Sequence, residues 1–272
     1  MRRSVPLLLV ALLLLSGCAP GRRAPAALEN RADWRELSVD RPLPARAWLR
    51  GRADVLWIYV EGDGNAYSMR TRPSLDPTPH APAALILALK DDSPAVAYAG
   101  RPCQYGPDEP CVAADWTTGR FSERVLAAEN GLVDRLKTAA GARKVVLVGF
   151  SGGGAVAALL AARRSDVAGL VTVCGVLDHE LWTRLHGVTP LSGSLNPADA
   201  APRLGGVPQV HFSGGEDRIA PPELAASFAR RLPPGAPCTL ITVPGLAHDP
   251  HGCPPIRGFS ERLNDELLPA FP

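Results

Sequence analysis

Val145-Val146-Leu147-Val148-Gly149-Phe150-Ser151-Gly152-Gly153-Gly154-Ala155-Val156-Ala157-Ala158-Leu159-Leu160 runs from an apolar, β-branched stretch into an alanine- and leucine-rich one. The first part has the pattern of a buried strand and the second that of a buried helix, with Gly-x-Ser-x-Gly at the junction. A serine on so sharp a strand-to-helix turn has its hydroxyl pushed out at the carboxyl edge of a sheet. Glycines on either side remove side chains that would collide at the corner. The first N–H groups of the following helix point to the same place and would stabilise negative charge developing beside Ser151. A serine that merely caps a helix shares part of this pattern.

Outward from that corner the chain alternates strand-like and helix-like segments. Apolar strand patterns cover residues 55–60, 95–98, 144–148, 169–173, 207–212 and 239–243. Helical patterns cover 82–90, 122–139, 152–163, a segment opening at Pro221, and 256–267. Strands that are apolar on both faces and alternate with helices predict an α/β fold, a mostly parallel central sheet with helices on both faces. Functional loops in such a sheet gather at the carboxyl ends of the strands.

Two other segments leave strands as the Ser151 segment does. Val210-His211-Phe212-Ser213-Gly214-Gly215-Glu216-Asp217-Arg218-Ile219-Ala220-Pro221 sets an acid just past a strand. Val243-Pro244-Gly245-Leu246-Ala247-His248-Asp249-Pro250 sets a histidine just past the last one. A serine hydroxyl is a poor nucleophile at neutral pH and needs a neutral imidazole to take its proton. A carboxylate fixes the tautomer of that imidazole and stabilises its charged form. Ser151, His248 and Asp217 supply these three types. His251 is a rival base three residues past His248, and Asp178, in Gly175-Val176-Leu177-Asp178-His179, is a rival acid that also reads as a helix cap.

With Gly149-Phe150-Ser151-Gly152-Gly153, Gly215-Glu216-Asp217-Arg218-Ile219-Ala220-Pro221 and Gly245-Leu246-Ala247-His248 in this order, the sequence resembles the α/β-hydrolase superfamily over about residues 50–270. The resemblance implies the α/β-hydrolase fold and a serine hydrolase working through Ser151, Asp217 and His248 without a cofactor. It also implies an oxyanion hole in which Gly152 N–H is one donor. The second is expected from Glu61-Gly62-Asp63-Gly64, with Asp63 N–H as the candidate. The acids of that loop suggest a pocket of acidic character, suited to polar or cationic substrates. A small cap-like insertion is expected over residues 178–206, where Trp182, Leu185, His186 and Leu191 could line a pocket. The expected substrate is a small ester, with an amide or peptide, or a catalytically idle envelope binding protein, as alternatives.

The N-terminus predicts where the chain works. Met1-Arg2-Arg3 is followed by an apolar run from Val5 to Leu15, too short to span a bilayer, and then by Leu15-Ser16-Gly17-Cys18. This resembles a bacterial lipoprotein signal over residues 1–17. The resemblance implies lipidation of Cys18 and, with Ala19 next, an anchor in the outer membrane facing the periplasm. Residues 18–35 read as a flexible tether and 36–272 as one domain. The formal net charge is +2, to which Arg2 and Arg3 contribute both charges, and no basic tract points to nucleic acid. Of six cysteines, Cys103 and Cys111 flank a loop that turns easily, and Cys238 and Cys253 flank the His248 segment. Both pairs are disulfide candidates, whereas Cys174 reads as core. Neither Cys-x-x-Cys nor His-Glu-x-x-His spacing occurs, so no metal site is expected.

Overall fold

The computed structural model describes residues 24–106 and 109–249. Among the described residues are ten strands: β1 (Trp34–Val39), β2 (Ala45–Gly51), β3 (Val55–Val60), β4 (Tyr67–Met69), β5 (Arg72–Pro73), β6 (Ala95–Ala99), β7 (Lys144–Phe150), β8 (Val167–Val173), β9 (Gln209–Gly214) and β10 (Cys238–Val243). The helices are α1 (Ala83–Ala88), α2 (Glu123–Ala140), α3 (Gly152–Ala161), α4 (His179–His186), α5 (Pro197–Ala200) and α6 (Glu223–Ala229). Eight strands form one sheet in the order β1-β2-β6-β3-β7-β8-β9-β10. From β6 to β10 every neighbour is parallel, while β2 joins β6 and β1 joins β2 antiparallel.

Both faces of the central strands are covered, which is why they read as continuous apolar runs. Leu56, Ile58, Val145 and Leu147 turn to one face, where Leu126, Leu132 and Leu136 of α2 and Val156 and Leu160 of α3 pack. Trp57, Tyr59, Val146 and Val148 turn to the other, against Leu85 and Leu87 of α1. The Ser122 hydroxyl accepts from Val125 N at the start of α2, and Gly141 ends that helix at φ +67°.

β1 and β2 lie in the stretch before residue 55, which had shown no strand pattern. Leu28 and Trp34, within the stretch expected as a tether, are buried on the sheet face that carries Trp57 and Tyr59. Cys103 and Cys111 form a disulfide. Cys238 carries a free thiol, and its candidate partner Cys253 lies outside the described residues. The signal region with Cys18, the rival base His251 and the helix expected over 256–267 also lie outside them. No helix among the described residues is long and apolar enough to cross a membrane.

Candidate active site

Ser151 sits between β7 and α3 at φ +52° and ψ −121°, a conformation that non-glycine residues rarely adopt. Three hydrogen bonds hold it there: Ser151 N donates to Val173 O, and Gly154 N and Val176 N donate to Ser151 O, each at 3.0 Å. Gly149 and Gly153 are required by the turn. A Cβ on Gly149 would meet Gly153 C at 2.5 Å, and one on Gly153 would meet Glu61 C at 2.9 Å, with carbonyl oxygens nearer still. The strain at Ser151 is held by packed backbone on both sides.

β9 and β10 bring the other two residues to the same edge. Ser151 Oγ lies 3.0 Å from His248 Nε2, and His248 Nδ1 lies 2.7 Å from Asp217 Oδ2. Because Asp217 can only accept when ionised, Nδ1 carries the ring proton and Nε2 is left to accept from the Ser151 hydroxyl. Asp217 Oδ1 accepts from Ile219 N and Ala220 N at 2.8 Å each, so the loop that carries the acid also orients it. Burial acts to raise the Asp217 pKa, but the His248 ring, the Ala220 amide and the Cys174 thiol together hold it below the usual carboxylate range. Cys174, Asp217 and His248 offer ligand atoms within 4.8 Å of one another. There the imidazole already uses both nitrogens, on Asp217 and Ser151.

The rival acid has other work. Asp178 Oδ1 accepts from Leu181 N at 3.0 Å and caps α4, while Oδ2 accepts from the Ser227 hydroxyl at 2.6 Å. Trp182 lines the cleft, and its Nε1 donates to Ile219 O at 2.8 Å, tying α4 to the Asp217 loop. The other expected wall residues do not line it. Leu185 is exposed, Leu191 is buried in the core, and His186 Nε2 contacts Ile219 O at 2.9 Å.

The cleft has a volume of about 490 Å³, and its opposite wall comes from the excursion between β3 and α1 that carries the β4–β5 hairpin. Asn65, Tyr67, Pro79 and His80 of that segment face Ser151 and His248 across it. Glu61, the first residue after β3, is 2 % exposed and accepts from Gly62 N at 2.8 Å and Ala84 N at 3.1 Å. Burial pushes its carboxyl up to about 7. Gly62 N is therefore spent on Glu61, whereas among the described residues the amides of Gly152 and Asp63 have no hydrogen-bond partner.

The acidic character expected of this loop is not what the structure has. The Asp63 carboxylate lies over Gly152, where a Cβ on that glycine would fall 2.5 Å from Asp63 Cγ. It is neutralised there: Arg101 Nη1 donates to Oδ1 at 3.3 Å and Arg120 Nη1 to Oδ2 at 2.6 Å. Arg101 also pairs with buried Glu129 at 3.2 Å and donates to Arg120 O, and Arg120 Nε donates to Thr117 O at 2.7 Å. These arginines and Glu129 carry no local motif, and their pairing is visible only in three dimensions. The disulfide segment contributes Gln104, whose Nε2 donates to Gly62 O at 3.1 Å and whose Oε1 accepts from Arg101 N at 2.9 Å.

No family model and no curated protein matches this sequence. Solved structures do match. Est1E from Butyrivibrio proteoclasticus, with ferulic acid bound, superposes with a TM-score of 0.61 at 15 % identity over 86 % of this chain and 98 % of that one. An α/β serine hydrolase without a lid from Xanthomonas campestris gives 0.54 at 17 % identity, over 89 % of this chain and 98 % of that one. Puromycin hydrolase gives 0.58 at 18 % identity over 79 % of this chain, which spans only 36 % of that protein. Similarity at this level of identity speaks to architecture, and with the mostly parallel sheet and its two covered faces it shows that the chain has the α/β-hydrolase fold.

Proposed function

We propose that this chain is a serine hydrolase that cleaves small carboxylic esters by acyl transfer through Ser151. One observation carries the reading: a serine held at φ +52° has its Oγ 3.0 Å from an imidazole whose other nitrogen is 2.7 Å from a buried carboxylate. In the first half-reaction Ser151 Oγ bonds to the ester carbonyl carbon as its proton passes to His248 Nε2. Collapse of the tetrahedral intermediate breaks the ester C–O bond, and the same proton goes to the departing alcohol. Water then attacks the acyl-serine with His248 again as base, releasing the acid and restoring the serine hydroxyl. Asp217 keeps the imidazole in its reactive tautomer and stabilises the imidazolium. The amides of Gly152 and Asp63 are the proposed oxyanion donors, a role supported by their lack of other partners among the described residues. With the lipoprotein-like signal, this activity is proposed for the cell envelope, on a lipid anchor at Cys18.

Fluorophosphonate labelling of the full-length chain tests the reaction. Labelling at Ser151 that disappears in Ser151→Ala is expected; an unlabelled native protein, or equal labelling of the variant, overturns it. Mass spectrometry of the mature N-terminus tests the anchor, and an unmodified Cys18 ends that part of the proposal.

A further inference from the structure

Asp63, Arg101, Arg120 and Glu129 form a charged cluster beside the reactive serine, and its two arginines are used unequally. Arg101 is turned inward, with Nη1 on Asp63, Nη2 on Arg120 O and Nε 3.2 Å from Glu129 as an ion pair without a hydrogen bond. Arg120 spends Nη1 on Asp63 and Nε on Thr117 O, and its Nη2 has no hydrogen-bond partner among the described residues. Only Arg120 of the two lines the cleft shared by Ser151 and His248. Its side chain is 8 % exposed, so the guanidinium is held rigidly and poorly hydrated.

The charges around it do not cancel its attraction for an anion. Each Asp63 oxygen already faces an arginine. The other acid of the cluster, Glu129, is held near 7 by burial, so it opposes the two guanidiniums only in part at neutral pH. Glu61, the other acid of the cleft wall, is turned into the backbone amides of Gly62 and Ala84. A substrate ammonium would find both acids of the cleft wall already engaged, whereas a substrate carboxylate would find the unpartnered Nη2 of Arg120.

We propose that Arg120 is a specificity residue that binds an anionic group of the substrate, so that the chain prefers esters bearing a carboxylate within a few bonds of the scissile carbonyl. The inference rests on the serine-hydrolase reading above and names the substrate class of that same site. An arginine–carboxylate bond made in a dry site discriminates by about tenfold or more.

The test compares the 4-nitrophenyl monoester of glutaric acid with 4-nitrophenyl pentanoate, the same chain length without the charge, on the full-length protein. Wild type is expected to favour the anionic ester by about tenfold in kcat/KM. Arg120→Gln should erase that ratio, over and above any kcat loss that both esters share through the Asp63 clamp, and Arg120→Lys should restore part of it. A wild type that favours the neutral ester overturns the inference. So does an Arg120→Gln variant that loses both activities by the same factor, which is what a residue that only clamps Asp63 would do. Should Arg120→Gln fail to fold, the wild-type ratio decides. Failure here leaves turnover of the neutral ester intact; failure of the hydrolase reading abolishes turnover of both esters together with fluorophosphonate labelling.

Discussion

Glu61→Gln should change how the stability of this protein depends on pH, and the structure supplies the magnitude. Glu61 is 2 % exposed, and burial pushes its carboxyl from 4.5 up to about 7. A carboxyl whose folded pKa is raised binds its proton more tightly in the folded state. Its stabilising contribution is thus fully present below the unfolded value and is lost as pH rises through the folded one. At about 1.4 kcal/mol per pH unit, the fall between pH 4 and 8 comes to about 3 kcal/mol. Glutamine does not titrate, but it offers one acceptor where Gly62 N and Ala84 N now reach two oxygens. Losing one of those bonds costs about 1–3 kcal/mol at every pH. The variant should therefore be the less stable protein at pH 4.5 and should match or exceed wild type at pH 8. Urea unfolding of both proteins at half-unit steps of pH measures the difference directly, and Glu129, also raised, cancels because both proteins keep it. Parallel curves would refute the assignment of a raised Glu61.

Other outcomes follow from the same geometry. His248→Ala should lower kcat by about 10⁴-fold while His251→Ala leaves turnover largely intact; a reversal of the two would move the base to His251. Asp178→Ala should keep turnover and lower stability by about 1–3 kcal/mol, because it removes both the cap of α4 and the acceptor of Ser227, and urea melts beside an ester assay would separate the two effects. Asp217 has a depressed pKa, so its contribution to stability is present above the ordinary carboxylate range and is lost as pH falls below it. An Asp217→Asn protein should accordingly show a shallower acid-unfolding curve than wild type. Gly152→Ala sets a Cβ 2.5 Å from Asp63 Cγ and should displace that carboxylate from Arg120, cutting kcat by about 10²-fold; an unchanged kcat would show that the Asp63 loop does not position an oxyanion donor.

How much of this was legible in the sequence depended on whether the deciding partner was local. β3, β6, β7 and β8 announced themselves because a strand buried on both faces must be apolar throughout. β1 and β2 did not. Arg46 and Arg50 interrupt β2, and only the fold supplies Glu36 for the first and Asp91 O for the second. The β4–β5 hairpin, with proline in and around it, offered no period to read. Ser151, Asp217 and His248 were legible because each follows a strand directly, and the parallel sheet carries all such positions to one edge. Asp63 was misread as giving the pocket an acidic character because the charges that neutralise it arrive from 38 and 57 residues away. Asp178 kept a double reading until Ser227 and the first turn of α4 were seen to occupy both its oxygens.

The Cys103–Cys111 bridge has a consequence for when the protein becomes competent. Gln104 stands inside that closed loop and grips both the Gly62 carbonyl and the amide of Arg101, the positions that carry the loop proposed as oxyanion donor and its counter-charge. Thiols stay reduced in a reducing compartment and pair in an oxidising one, so this corner is fastened only where the chain meets an oxidising environment. The bond then acts as a latch on the site as well as on the fold: until it closes, Ser151, His248 and Asp217 are carried with the loop beside them unfastened.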